Sequence, residues 1–141
     1  MLQKKNHDFK RNSLADQNFG KTLSDSARPQ VSYKNGKEVV WGTDGSVRLD
    51  WTDPKTKMGF EVKDYDLTKS SRVNALINDV SKQVNTRNIH LPAGIKQNIV
   101  INTRGLVLDQ KVMDKIVDSI TSKTNGVVNK KNIRFLALTE D

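Results

Sequence analysis

The apolar and polar positions of the chain fall into three successive regimes. Residues 1 to 30 are polar, with apolar side chains only at Leu2, Phe9, Leu14, Ala15, Phe19, Leu23 and Ala27. Leu14, Phe19 and Leu23 make one weak helical stripe around Gly20, so this stretch reads as a polar arm or linker with a short helix in it. From Val31 the pattern turns extended. Val31-Ser32-Tyr33 and Glu38-Val39-Val40-Trp41 flank Asn35-Gly36, a dipeptide suited to the two left-handed positions of a type I′ hairpin turn. After the Gly42-Thr43-Asp44-Gly45 turn, the sequence predicts strands over 46–51 and 58–65, with Asp53-Pro54 starting the turn between them.

The third regime alternates helix and strand. Val73, Leu76, Ile77, Val80 and Val84 recur at helical spacing and predict about four turns from Ser70, with Thr68, Ser70 or Ser71 available as caps. Leu91-Pro92-Ala93-Gly94 ends that helix. Gln97–Asn102 is a β-branched strand closing at Arg104-Gly105. A second helix opens at Asp109, presents Val112, Met113, Ile116, Val117 and Ile120 on one face, and stops at Asn125-Gly126. Ile133–Leu138 is the last strand. A β-meander followed by helix, strand, helix, strand predicts an α/β (α+β) domain over 31–141, a mixed sheet flanked by helices, with right-handed crossovers.

Composition narrows the chemistry. With 141 residues the chain suits one core, and its 24 Lys and Arg against 16 Asp and Glu give a formal charge of +8, a field that attracts polyanions. Nucleic acid is the natural partner class, although such a balance also serves solubility or binding to an acidic protein. No cysteine is present, which excludes disulfides, thiolate metal sites and cysteine nucleophiles, so any metal is held mainly by oxygen. No apolar run approaches the ~20 residues of a membrane span, and Met1-Leu2-Gln3-Lys4-Lys5-Asn6 lacks the apolar core of a signal peptide. The chain is expected to be soluble, with any export signal carried by a larger parent.

One constellation stands out. Glu61 and Lys63 share a face of their strand because side chains alternate, and Val62 points the other way. Phe60, Val62 and Met58 supply the apolar partners of a half-buried strand, and the polar face continues to Tyr65. Asp50 and Arg48 share a face of the preceding strand, so the hairpin can set Asp50 beside Glu61. Two converging carboxylates repel unless a cation lies between them, and Mg2+ binds through a few carboxylates while keeping several waters. Lys63 can orient or deprotonate an attacking water, or neutralise charge on a phosphate. A solvated cross-strand salt bridge explains the same spacing equally well.

Arg48-Leu49-Asp50-Trp51, followed after a turn by Glu61-Val62-Lys63, resembles the Asp…Glu-x-Lys signature of the restriction-endonuclease-like nucleases. The run from Gly45 to Gly105, with Glu61-Val62-Lys63-Asp64-Tyr65-Asp66-Leu67, His90-Leu91-Pro92-Ala93-Gly94, Gln97 and Asn102-Thr103-Arg104-Gly105, is similar to C-terminal toxin domains of bacterial polymorphic and contact-dependent growth inhibition systems. The resemblance spans roughly residues 36 to 138. Many relatives carry proline before the first acid where this chain has Leu49. The resemblance implies a metal-dependent endonuclease toxin, with Asp50 and Glu61 as ligands of Mg2+, Mn2+ or Zn2+ and Lys63 as the catalytic lysine. It further implies DNA or tRNA as substrate, delivery from the cell surface or by secretion as part of a larger protein, action in the target-cell cytoplasm, and a cognate immunity protein. A DNA-repair or restriction-type nuclease and a non-catalytic nucleic-acid-binding module are the competing classes.

Several residues are candidates for supporting roles. The resemblance points to Gln83 on the helix after the signature and to Glu38 as an upstream acid. Gln97 and Arg104 flank the next strand, where an Arg suits a phosphate. Tyr65 can stack on a base or pack. Asp53 is the rival first acid but sits beside Pro54 as a turn-forming residue. His90 is a candidate base in a metal-free scheme, and His7 lies in the polar arm. Lys82, Arg87, Lys96, Lys111, Lys115, Lys123, Lys130 and Lys131 are spread over the second half as backbone-tracking or merely solvated charges.

Overall fold

The computed structural model describes residues 13–139. The readings made on Leu2, Phe9, His7 and the extreme N-terminus lie outside the described residues. Among the described residues, three helices and eight strands run in the order α1 (Leu14–Gly20), β1 (Arg28–Pro29), β2 (Ser32–Lys34), β3 (Lys37–Val39), β4 (Val47–Arg48), β5 (Trp51–Asp53), β6 (Met58–Lys63), α2 (Ser70–His90), β7 (Lys96–Asn102), α3 (Gln110–Lys123) and β8 (Ile133–Leu136). A short 3-10 turn at Lys130–Asn132 leads into β8. The class is α+β, as the pattern predicts.

The sheet architecture differs from a single meander. A five-stranded sheet has the order β1-β5-β6-β7-β8, and a separate three-stranded sheet has the order β3-β2-β4. Asn35 and Gly36 turn β2 into β3 with φ of 53° and 84°, the left-handed pair that a type I′ turn requires. In the larger sheet β5 is antiparallel to β6, whereas β6, β7 and β8 are mutually parallel. Parallel neighbours need crossovers, and α2 and α3 provide them.

Both faces of this sheet are covered, so β6 is a central strand and not the half-buried one expected. On one face Ile99 and Ile101 of β7 pack with Val73, Leu76, Ile77, Val80 and Val84 of α2 and Ile116 and Ile120 of α3. On the other, Phe60 and Val100 pack with Trp51 and with Phe19 of α1; the Phe19 and Phe60 rings lie 5.3 Å apart. Residues 13–30 therefore join the core, unlike a linker: Ser13 caps α1 through the Asp16 N–H, and Ala15 and Phe19 are fully buried. Leu14, placed on the expected stripe, is exposed instead. Gly20 lies against Trp51, where a methyl group would overlap the indole, and this close approach seats α1 on the sheet.

The predicted boundaries shift in instructive ways. α2 is longer than expected, running to His90, and of its residues beyond Val84 only Arg87 is buried. Its N-cap position is Lys69, without a side-chain cap, and Thr68 is engaged with Asp66 instead. Asp109 caps α3 through the Lys111 N–H, as its residue type predicts. Among the described residues no helix is long and apolar enough to cross a membrane.

Candidate active site

Register sets the first two residues. Glu61 pairs with Ile99 and Lys63 with Ile101, so both side chains point to the face beneath α2, while Val62 joins the aromatic layer behind. Lys63 Nζ lies 3.0 Å from Glu61 Oε2. Because α2 covers this face, the two residues are only 9% and 7% exposed, and a solvated cross-strand ion pair is not what they form.

Asp50 reaches them from a break in the chain. The expected strand over 46–51 splits at Leu49 and Asp50, with β4 going to the small sheet and β5 to the large one. The β5–β6 ladder begins with Trp51 opposite Phe60, and one residue earlier Asp50 comes opposite Glu61. Freed from the pleat, its carboxylate turns onto the β6 backbone and accepts the Val62 N–H at 2.7 Å.

α2 supplies the remaining contacts. Gln83 Oε1 accepts from Lys63 Nζ at 2.6 Å. Arg87 donates through Nη2 to Glu61 Oε2 at 3.0 Å and through Nε to the Arg48 carbonyl at 2.9 Å. A third acid, Asp16 of α1, is buried and accepts the Trp51 indole N–H at 2.7 Å.

The electrostatics of these groups are strongly unequal. Burial pushes the Asp50 carboxyl well above the usual range, and the charges of Glu61 and Asp16 add to this against the Val62 hydrogen bond. Burial also works to raise Glu61, but Arg87 and Lys63 outweigh it and hold that carboxyl below its ordinary value. Asp16 is pushed up to about 6, chiefly by burial and further by Glu61, despite the bond from Trp51. Glu61 thus carries the settled negative charge of the cluster, and Asp50 carries a charge only at a cost.

Among the described residues no group of three or more His, Cys, Asp or Glu side chains is placed to hold a metal ion. The carboxyls that could serve as donors are those of Asp50 and Glu61, and a cation between them would relieve their mutual repulsion. Two hard oxygen donors suit Mg2+ or Mn2+, which keep several waters. The same set is poorer for Zn2+, which favours nitrogen and sulfur donors and about four ligands.

The other sequence candidates go elsewhere. Glu38 forms a two-bond ion pair with Arg28 at 2.9 Å, which fully engages its carboxylate away from Asp50 and Glu61. Tyr65 donates to Asp79 at 2.5 Å, lies under Arg72 and packs against the α2–α3 core, so its place is that of a packing residue. Gln97 is buried and donates to the Val84 carbonyl, tying β7 to α2. Arg104 pairs with Asp64 at 2.8 Å. Asp53 is a turn carboxylate: bonds from Ser26 first, then from the Lys55 N–H and Ser24, hold it below its ordinary range. His90 accepts from the Asn35 N–H at the β2–β3 turn.

Two residues were not expected beside Glu61: Arg87, read only as a backbone-tracking or solvated charge, and Asp16, not singled out at all. Arg87 did carry a signal: it continues the buried stripe of α2, three residues after Val84, and a cation on an apolar stripe needs a buried partner. Asp16 carried none, since an acid in a first helical turn is ordinary. Beside Arg87 opens a cleft of about 310 Å³ lined by Val47, Arg48, Lys82, Gln83, Thr86 and Arg87.

No protein-family model matches the sequence, and neither a curated protein nor a solved structure matches it. The resemblance to the Asp…Glu-x-Lys nucleases stands on the residues themselves.

Proposed function

We propose that the chain is a metal-dependent endonuclease that hydrolyses phosphodiester bonds of DNA or RNA, tRNA included, with Asp50, Glu61 and Lys63 as its centre. The observation that supports this reading is the Asp50 carboxylate, bound to the Val62 N–H, beside the Glu61 carboxylate that repels it, with Lys63 Nζ 3.0 Å from Glu61. A divalent ion bound there supplies positive charge against the scissile phosphate. Asp50 and Glu61 hold the ion, with the Val62 N–H fixing Asp50. A lysine ammonium has three donors; Lys63 directs two to Glu61 and Gln83, and the third serves the phosphate or the attacking water. Gln83 positions Lys63, and Arg87 positions Glu61. The charge of +8 draws the polyanion in.

In this reading the domain is a toxin delivered by one bacterium, as part of a larger surface or secreted protein, into the cytoplasm of another. A cognate immunity protein with an acidic face, or one that adds a strand to an exposed sheet edge, protects the producer. The test is incubation of the purified protein with plasmid DNA and with total tRNA in Mg2+, Mn2+ or EDTA. Cleavage of at least one substrate, abolished by EDTA and restored by metal, is the expected result. Intact DNA and intact tRNA, both in vitro and in cells expressing the domain, sink the reading.

One observation favours a second class. Lys63 and Arg87 already neutralise Glu61, and a closed ion network of that kind also suits a non-catalytic nucleic-acid-binding module. Such a module keeps its function in Glu61→Gln, and the enzyme does not.

A further inference from the structure

We propose that the cleft beside Arg87 is an anion subsite that binds a backbone phosphate of the nucleic-acid strand next to the one being cut. The proposal rests on the nuclease reading and names how that site grips its substrate. Three of the lining residues are cationic, Arg48, Lys82 and Arg87, and none is acidic. Arg87 gives the sharpest indication. It is 9% exposed, its Nη2 and Nε have acceptors, and its buried Nη1 has none among the described residues. A buried guanidinium donor without an acceptor is costly to leave unmade, and a phosphate oxygen entering the cleft is the acceptor that removes the cost.

The neighbours are arranged for the same ligand. The Arg48 guanidinium lies 4.6 Å from the centre of the Trp41 ring, a stack that restrains a long side chain before any ligand arrives. Lys82 and Thr86 are exposed on α2 one turn apart, offering an ammonium and a hydroxyl at the rim. The fork of an arginine matches phosphate oxygens in a way that a carboxamide or an apolar group does not. Gln83 lines the cleft and also accepts from Lys63, so a phosphate here sits one side chain away from the proposed centre.

The test is fluorescence anisotropy of a labelled single-stranded oligonucleotide in EDTA, across a series of salt concentrations. EDTA withholds the metal, so binding is read apart from cleavage. Lys82→Ala is expected to weaken binding roughly tenfold and to flatten the slope of log K against log salt by about 0.7, the loss of one phosphate contact. Thr86→Glu, which puts a negative charge at the rim, is expected to weaken it further. Lys55→Ala, on the exposed 54–57 turn, leaves affinity and slope unchanged. In the cleavage assay with metal, Lys82→Ala raises KM with kcat retained. Wild-type affinity and slope in both cleft variants, in a protein that cleaves nucleic acid, overturn the subsite and leave the nuclease standing. Cleft-dependent binding in a protein that cleaves neither DNA nor tRNA keeps the subsite and overturns the nuclease. Absence of salt-dependent binding overturns the subsite outright.

Discussion

Lys63 and Asp64 are adjacent in the chain, yet they belong to polar clusters of opposite character. Asp64 accepts from Asn102 and from Arg104. Asn102, fully buried at the end of β7, also donates to Thr139 and accepts the backbone N–H groups of Arg104, Leu138 and Thr139. Every capacity of that amide is used. Around Lys63 the accounting is uneven: Asp50 is pushed towards its neutral form, Asp16 towards a pKa of about 6, and Arg87 Nη1 has no acceptor among the described residues. A saturated cluster has no hydrogen-bonding capacity left for a ligand, and its bonds rigidify the fold. A cluster holding repulsion and an orphaned donor beside an open cleft keeps capacity for a ligand.

The strongest way to break this comparison is to remove one group from each cluster. Glu61→Gln preserves shape while deleting the charge, and cleavage is expected to fall at least about a hundredfold with circular dichroism unchanged. Asn102→Ala should do the reverse. It leaves three backbone N–H groups short of an acceptor, so unfolding by urea is expected about 3 kcal/mol earlier, while kcat under native conditions stays near wild type. An Asn102→Ala protein that is stable but inactive would move the functional centre to the wrong side of Lys63.

Next in size is Gly20→Ala. The added methyl overlaps the Trp51 indole, and overpacking of this kind costs about 1–3 kcal/mol, read as a lowered Tm. The same change tilts α1 and with it Asp16, so a loss of cleavage larger than the loss of stability would mean that Asp16 belongs to the centre more closely than its bond to Trp51 suggests.

How much of this was legible beforehand follows from the range of the interactions. The Glu61–Lys63 face, the Asn35-Gly36 turn and the Asp109 cap depend on neighbours within a few residues, and alternation or residue type reveals them. Asp50 was placed correctly beside Glu61 for a partly mistaken reason: a strand break, not a continuous hairpin, aims its carboxylate. The split into two sheets, the burial of the polar face and the docking of α1 depend on partners tens of residues away. Periodicity is silent about those, and Asp16 was invisible for the same reason. Arg87 was within reach, since its place on the α2 stripe is written in the spacing.

The last expected effect is the one most specific to the repelling carboxyls. Asp16 has a folded-state pKa of about 6 against 3.8 for its ordinary value, so the folded protein binds the proton more tightly than the unfolded chain. Its contribution to stability is then most favourable below pH ~4 and is lost as pH rises towards ~6, after which it stays constant. Asp16→Asn keeps an oxygen to accept the Trp51 N–H and deletes the titration. The variant should match wild type near pH 4 and exceed it in stability by a growing margin up to pH ~6, measured as the difference in urea midpoints. Asp64, whose carboxylate is matched by Arg104 and Asn102, provides the contrast: Asp64→Asn removes the charge that Arg104 pairs with and should lose stability. Were both variants to lose stability at neutral pH, the Asp16 carboxylate would be as well matched as Asp64, and the distinction between the two clusters would fail at its acidic end.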